Sequence, residues 1–169
     1  MSKEQDFIIT RRSIRKYSGK KIDESVLEII LKAGMYAPSA HNTQPWHFIV
    51  IRNRSIINEI PKLHKYAEMT KDADAVILVC ADTKRQSDDG YYAQDCSAAT
   101  QNILLSAHIE GLGACWLGVY PQKDRMEKLK HLLNLKDNLI PFSMVALGYP
   151  AEKKKNDERF DVSKIDYIN

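Results

Sequence analysis

Apolar residues recur along this chain of 169 residues at two different spacings, and the two spacings separate predicted helices from predicted strands. From Asp23 or Ser25 onward, Val26, Ile29, Ile30, Ala33 and Ala37 form one helical stripe, with Leu27, Leu31 and Gly34 beside it and Pro38 ending it. The longest predicted helix runs from Tyr91 to Glu110. Ala93, Cys96, Ala99, Thr100, Ile103, Leu104 and Ala107 repeat along it, and Gly111 or Gly113 closes it. That stripe is rich in small residues, so another helix can approach closely, a second copy of the same helix included. Lys123 to Leu133 reads as a further helix, and Ile56 to Leu63 as a weaker one broken near Pro61. At the start, Ser2 and Gln5 form a capping box that opens a short helix through Phe7 and Ile8.

The strands follow from β-branched and aromatic content. His47 to Ile51 is one, Ala114 to Gly118 another, and Met144 to Gly148 the last. Asp74 to Ala81 is apolar with almost no alternation, which predicts a central strand covered on both faces. No repeat, low-complexity tract or linker divides the chain, so residues 1–169 are expected to form one domain.

Composition narrows the classes of function. The formal net charge of +3 is too small to suggest a nucleic-acid partner, although local basic clusters suit a small phosphorylated ligand. Cys80, Cys96 and Cys115 are widely spaced, odd in number and flanked by apolar residues, as expected of buried thiols in a reducing compartment. The polar stretch Met1 to Asp6 has no apolar core of a secretory signal, and the longest apolar run, Ala75 to Ala81, is too short to cross a bilayer. A cytoplasmic protein that does not enter membranes is expected. His41 and His47 lack zinc spacing, and neither a dinucleotide fingerprint nor a phosphate-binding Walker loop is present.

Two stretches carry candidate chemistry. Ala37 to Trp46, A-P-S-A-H-N-T-Q-P-W, holds two prolines that stiffen a loop presenting Ser39, His41, Asn42, Thr43 and Gln44 in fixed directions. Upstream lies Arg11-Arg12-Ser13-Ile14-Arg15-Lys16-Tyr17. If this run is extended, residues 11, 13 and 15 point to one side and two guanidiniums and a hydroxyl converge, while Ile14 faces the core.

Together these stretches resemble the nitroreductase family of FMN-dependent oxidoreductases. Its members carry R-R-S-x-R-x-[FY] near the N-terminus, then a helix, then P-S-x-x-N-x-Q-P-W. The likeness continues at Gly111-Leu112-Gly113, Cys115-Trp116-Leu117-Gly118 and Ala146-Leu147-Gly148-Tyr149-Pro150. The resemblance implies an α+β fold, a mostly antiparallel central sheet flanked by helices, in an intertwined homodimer with FMN at the subunit interface.

It further implies ping-pong transfer of two electrons from NADH or NADPH to nitroaromatic, quinone or related small-molecule acceptors. An FMN-binding module without turnover, a reductive dehalogenase and a flavin-converting enzyme are the alternatives on the same fold. By resemblance the cofactor contacts are Arg11 at the phosphate, Arg12 beside it in the same run, Ser13 at the phosphate or the ribityl chain, and Arg15 at the N1–O2 edge of the ring. Leu117 and Gly118 would pass the N5 edge. Pro38, Ser39, Ala40 and Asn42 would come from the other subunit, Ala40 standing where serine is frequent. Gln44 and Trp46 would brace that loop, Trp46 reading equally well as plain core. Lys155 or Arg159 would supply the last phosphate charge. No catalytic side chain is needed when the ring does the electron chemistry. The tail 151–169 is polar but carries Phe160, Val162, Ile165, Tyr167 and Ile168, and is expected to reach over the partner.

Overall fold

A computed structural model describes residues 3–86 and 90–168. In chain order its elements are α1 (Lys3–Thr10), α2 (Glu24–Met35), β1 (Trp46–Ile51), α3 (Arg54–Leu63), β2 (Ala75–Asp82), α4 (Tyr91–Ile109), β3 (Gly113–Gly118), α5 (Lys123–Leu133) and β4 (Leu139–Gly148). The four strands form one sheet in the order β1-β2-β4-β3, with every pairing antiparallel. This is the α+β architecture expected from the sequence.

Alternation along the inner strands explains the layers. Ile77, Val79 and Ala81 of β2, with Val145 and Leu147 of β4, face α2 and α4, where they meet Leu27, Ile30, Cys96, Ile103 and Ala107. Val76, Leu78 and Cys80, with Met144 and Ala146, face the opposite way onto Ile57 and Ile60 of α3 and Leu129 of α5. β2 is therefore buried on both faces, as its unbroken apolar run predicted. The register shifts between Val79 and Cys80, so β4 carries a bulge. Phe142 packs in the α2/α4 core, and the neighbouring Ser143 also turns to that side, where its Oγ lies 2.8 Å from Thr100 Oγ1 of α4.

α4 ends where glycine was expected to end it. Gly111 has φ +73°, Leu112 N–H donates to Ala107 O at 2.8 Å, and Gly111 N–H donates to His108 O at 3.1 Å. These are the paired bonds of a Schellman cap, which needs a left-handed residue.

Three expectations need correction. Ile29 is 48% exposed and not part of the buried stripe. At 100° per residue it lies about 160° around α2 from Leu27, so the helix buries Leu27, Ile30 and Gly34 instead. α3 is not broken at Pro61: it starts earlier, at Arg54, and continues to Leu63. Asn53 caps it by accepting from Ser55 N–H and Ile56 N–H, and Ile57 and Ile60 anchor its buried side. Pro61 sits in the last turn, so little helix remains beyond it to be lost. β4 begins at Leu139, five residues before the stretch read as strand. The Ser2 cap of the first helix lies outside the described residues.

Candidate functional site

The run Arg11–Tyr17 is extended and lies along the open edge of β3. Ser13 bridges Ala114 in parallel, Ile14 N–H donates to Ala114 O at 3.0 Å, and Tyr17 bridges Pro150. Two glycines make this approach possible. A Cβ on Gly113 would stand 2.6 Å from Ile14 Cγ2, and one on Gly148 would stand 2.9 Å from Tyr17 Cδ1. The Tyr17 hydroxyl is buried and donates to backbone carbonyls, Ile14 O at 2.8 Å or Ala146 O at 3.3 Å, and burial drives its pKa far above the ordinary phenol value. The tail begins pinned to the same run: Ala151 N–H donates to Lys16 O, and Glu152 Oε1 accepts Arg15 N–H at 2.7 Å.

These contacts gather positive charge that the described residues do not neutralise. Arg11 is half-buried, its Nε is buried without a hydrogen-bond partner, and burial lowers its pKa, followed by repulsion from Arg159 and Arg12. Among the described residues no carboxylate forms an ion pair with Arg11, Arg12, Arg15 or Arg159. Arg12 is turned differently. Its guanidinium donates to the carbonyls of Ile9, Arg11 and Lys155, so it ties the end of α1 to the tail. Lys155 enters this network through its carbonyl, while Arg159 brings its charge to Arg11.

Beyond Ala114 the edge of β3 opens into a cavity of 280 Å³ lined by Arg15, His64, Tyr66, Met69, Cys115, Trp116, Leu117, Gly118 and Arg125. Because Ala114 O turns outward to Ile14, antiparallel alternation turns the backbone groups of Trp116 and Gly118 outward as well. The buried Cys115 thiol has a raised pKa; burial pushes it up, and Arg15 and then Arg11 pull it back. Gly118 differs from its two sister glycines: a Cβ there would meet nothing within 4 Å, so the chain's own packing does not require glycine at this position.

The proline-bounded loop has its own support. Residues 40–42 form a single 3₁₀ turn, and His41, Asn42 and Gln44 are left-handed at φ +52°, +55° and +49°. Gln44 braces the turn, its N–H donating to Ser39 Oγ at 2.9 Å and its Nε2 to Asn42 Oδ1 at 2.8 Å. Asp95 of α4, 5% exposed, accepts Ala40 N–H at 3.0 Å through Oδ1, while Oδ2 is buried without a partner. Trp46 opens β1 and packs against the α2/α4 core.

The fold brings Arg11, Ser13, Arg15, Leu117, Gly118 and Arg159 to the β3 edge. Pro38, Ser39, Ala40 and Asn42 are not brought there. They precede β1, the opposite edge strand, three strand spacings or about 14 Å away. The loop rests on α4, on one face of the sheet, whereas His64 and Arg125 reach the cavity from the α3 and α5 side. The cavity residues His64, Tyr66, Met69 and Arg125, and the loop anchor Asp95, belong to none of the motifs. Each is a single residue in an ordinary amphipathic stretch, with no sequence signal to select it.

A family model described as the nitroreductase family matches residues 8–65 and 58–149. A protein of Methanothermobacter thermautotrophicus, provisionally named an NADH dehydrogenase/NAD(P)H nitroreductase, is 49% identical over 158 residues, covering 94% of this chain and 83% of its own. A solved structure of a similarly named protein from Parabacteroides distasonis superposes with a TM-score of 0.95 at 34% identity, covering 100% of this chain and 99% of that one. A provisionally named nitroreductase of Desulfovibrio desulfuricans, solved in complex with FMN, has a TM-score of 0.87 at 29% identity, covering 100% of this chain and 98% of that one.

Proposed function

The chain belongs to the nitroreductase family, and from that premise we propose that it is an FMN-dependent oxidoreductase passing two electrons from NADH or NADPH to a nitroaromatic, quinone or related acceptor. One observation carries the reading: the half-buried Arg11, with an orphaned Nε and two arginines around it, has no carboxylate ion pair among the described residues. Such charge is costly to hold unless an anion completes it, and a phosphate dianion matches planar guanidinium donors.

In this reading Arg11 and Arg159 take the FMN phosphate, and Ser13 adds a hydrogen bond. Arg12 supports them by fixing the carbonyls of Ile9, Arg11 and Lys155. Arg15 presents its charge to the ring, and Leu117 and Gly118 give the strand edge on which the ring lies. When bound, FMN supplies the two-electron chemistry; the residues orient it and leave one face open, so that donor and acceptor use that face in turn, in a ping-pong order.

The molecule acts as a homodimer. Pro38, Ser39, Ala40 and Asn42 stand on the far edge and face of their own sheet and reach the site of a second copy. Apolar residues left exposed, Ile29, Met35, Tyr36 and Ile109 on the α2/α4 layer, and Phe160, Val162 and Tyr167 in the tail, supply surface for that contact. The test is the visible spectrum of the purified protein before and after anaerobic NAD(P)H, with sedimentation of the full chain and of a chain ending at residue 150. A yellow dimer that bleaches and is recoloured by a quinone or nitroaromatic is expected, with loosened association after truncation. A bound flavin that is never reduced would leave a binding module without turnover. A colourless monomer that takes up no added FMN refutes the reading.

A further inference from the structure

Gly118 O, at the last residue of β3, accepts two hydrogen bonds from elements distant in the chain. His64 Nε2 approaches it at 3.0 Å and Arg125 Nη1 at 3.0 Å. His64 is 4% exposed, and its Nδ1 accepts Tyr66 N–H at 3.2 Å, so the ring proton resides on Nε2 and Gly118 O receives a true N–H. Burial, and then Arg125, hold the His64 pKa below its ordinary value. The imidazole is therefore a neutral strut. The positive charge at this peptide belongs to Arg125.

Arg125 is on the first turn of α5; along that helix Lys128 pairs with Asp124 and Lys130 with Glu127, but among the described residues no carboxylate pairs with Arg125. It lines the same 280 Å³ cavity as Arg15, and no Asp or Glu lines that cavity. Glu152 accepts the Arg15 backbone N–H and is paired with Lys154. Two uncompensated guanidiniums thus share one small cavity with a fixed, neutral histidine. A ligand edge that gains negative charge is the complement of this arrangement.

We propose that Arg125 is a positioning and charge-setting residue of the flavin site: with His64 it pins the Gly118 peptide, and its charge adds to that of Arg15 in favouring the reduced, anionic ring. This rests on the FMN reading above. Loss of Arg125 should weaken the preference for reduced over oxidised flavin at least tenfold, or about 30 mV for a two-electron couple.

The experiment measures the midpoint potential of bound FMN against reference dyes, together with the FMN dissociation constant, for the unaltered protein, R125Q, R125K and K128Q. R125Q should lower the potential by about 30 mV or more, R125K should restore most of it, and K128Q, on the same helix but outside the cavity, should leave it unchanged. If R125Q does not fold, R125K and R125M compared with each other give the same charge difference. A potential unmoved by loss of the charge, or moved as far by K128Q, overturns the assignment while the FMN reading stands. Failure of the unaltered protein to take up FMN overturns both.

Discussion

Replacing glycine by alanine at two ends of one strand should move stability in opposite directions. At Gly118 the new methyl meets nothing within 4 Å, and the backbone is extended β3, open to any residue. Removing glycine's freedom from the unfolded chain then stabilises the flavin-free protein by about 0.4–1 kcal/mol. At Gly113 the methyl would stand 2.6 Å from Ile14 Cγ2 and 2.8 Å from Ile14 Cβ. The second atom is fixed to the backbone, so the Arg11–Tyr17 run must move, an overpacking cost of about 1–3 kcal/mol. For a chain of this length, 1 kcal/mol is about 2–4 °C in Tm, so the two variants should be readily separated by thermal or urea unfolding. FMN titration supplies the functional half. The open space beside Gly118 is where the ring is proposed to lie, so Gly118→Ala should weaken FMN binding at least tenfold, about 1.4 kcal/mol, despite the firmer fold. If Gly118→Ala lowers stability, the strand edge is not open as described. If it binds FMN as tightly as the unaltered protein, the ring does not pass Gly118.

Other outcomes follow from the buried polar groups. His64 and His108 both have lowered pKa values, burial being the first cause in each, so both stay neutral in the fold while the unfolded chain takes up protons below about pH 6.5. The histidine contribution to stability should be constant above that pH and fall as pH drops through the range beneath it; urea midpoints from neutral pH downward check this, and His108→Gln should remove part of the slope. Thr100→Val leaves Ser143 Oγ buried without its partner and should cost about 1–3 kcal/mol, whereas adding Ser143→Ala should recover part of that loss in a double-mutant cycle. Asp95→Ala unties Ala40 from α4, so limited proteolysis within residues 39–44 should speed up about tenfold, while Asp95→Asn, which keeps an acceptor, should stay near the original rate.

What could be read from the sequence was what local chemistry dictates. Gly111 ends α4 because its cap needs positive φ, and β2 is central because an unbroken apolar run has no exposed side to offer. Pro61 misled because a proline's cost depends on how much helix follows it, which a cap at Asn53 and the burial of Ile57 and Ile60 decide. In the loop, asparagine tolerates the left-handed region, but nothing marks His41 or Gln44 for it. The turn is held from within by the bonds of Gln44 to Ser39 and Asn42, and from outside by Asp95 at Ala40, a residue far along the chain. Arg11 and Arg12 are indistinguishable as letters. Only the fold makes one of them an unpaired charge and the other a backbone tie.

The motif residues coincide with places where the chain does not complete itself. Arg11 Nε and Asp95 Oδ2 are buried without partners, Gly118 is a glycine that packing does not demand, and three left-handed residues crowd the Ser39–Gln44 loop. Gly113 and Gly148, by contrast, are glycines because Ile14 and Tyr17 leave no room for a side chain. Buried unpartnered atoms also occur at Arg52 and Gln86, but only along the β3 edge and in the Ser39–Gln44 loop do they coincide with the motif residues, with unneutralised charge, left-handed backbone or open space beside them. The unpaired arginines call for an anion and the open edge for a flat ring. The loop stands on the far side of its own sheet from both, and in the proposed homodimer a second copy delivers it. In that reading cofactor and partner are served by separate sets of residues, and a variant that disturbs one set need not disturb the other.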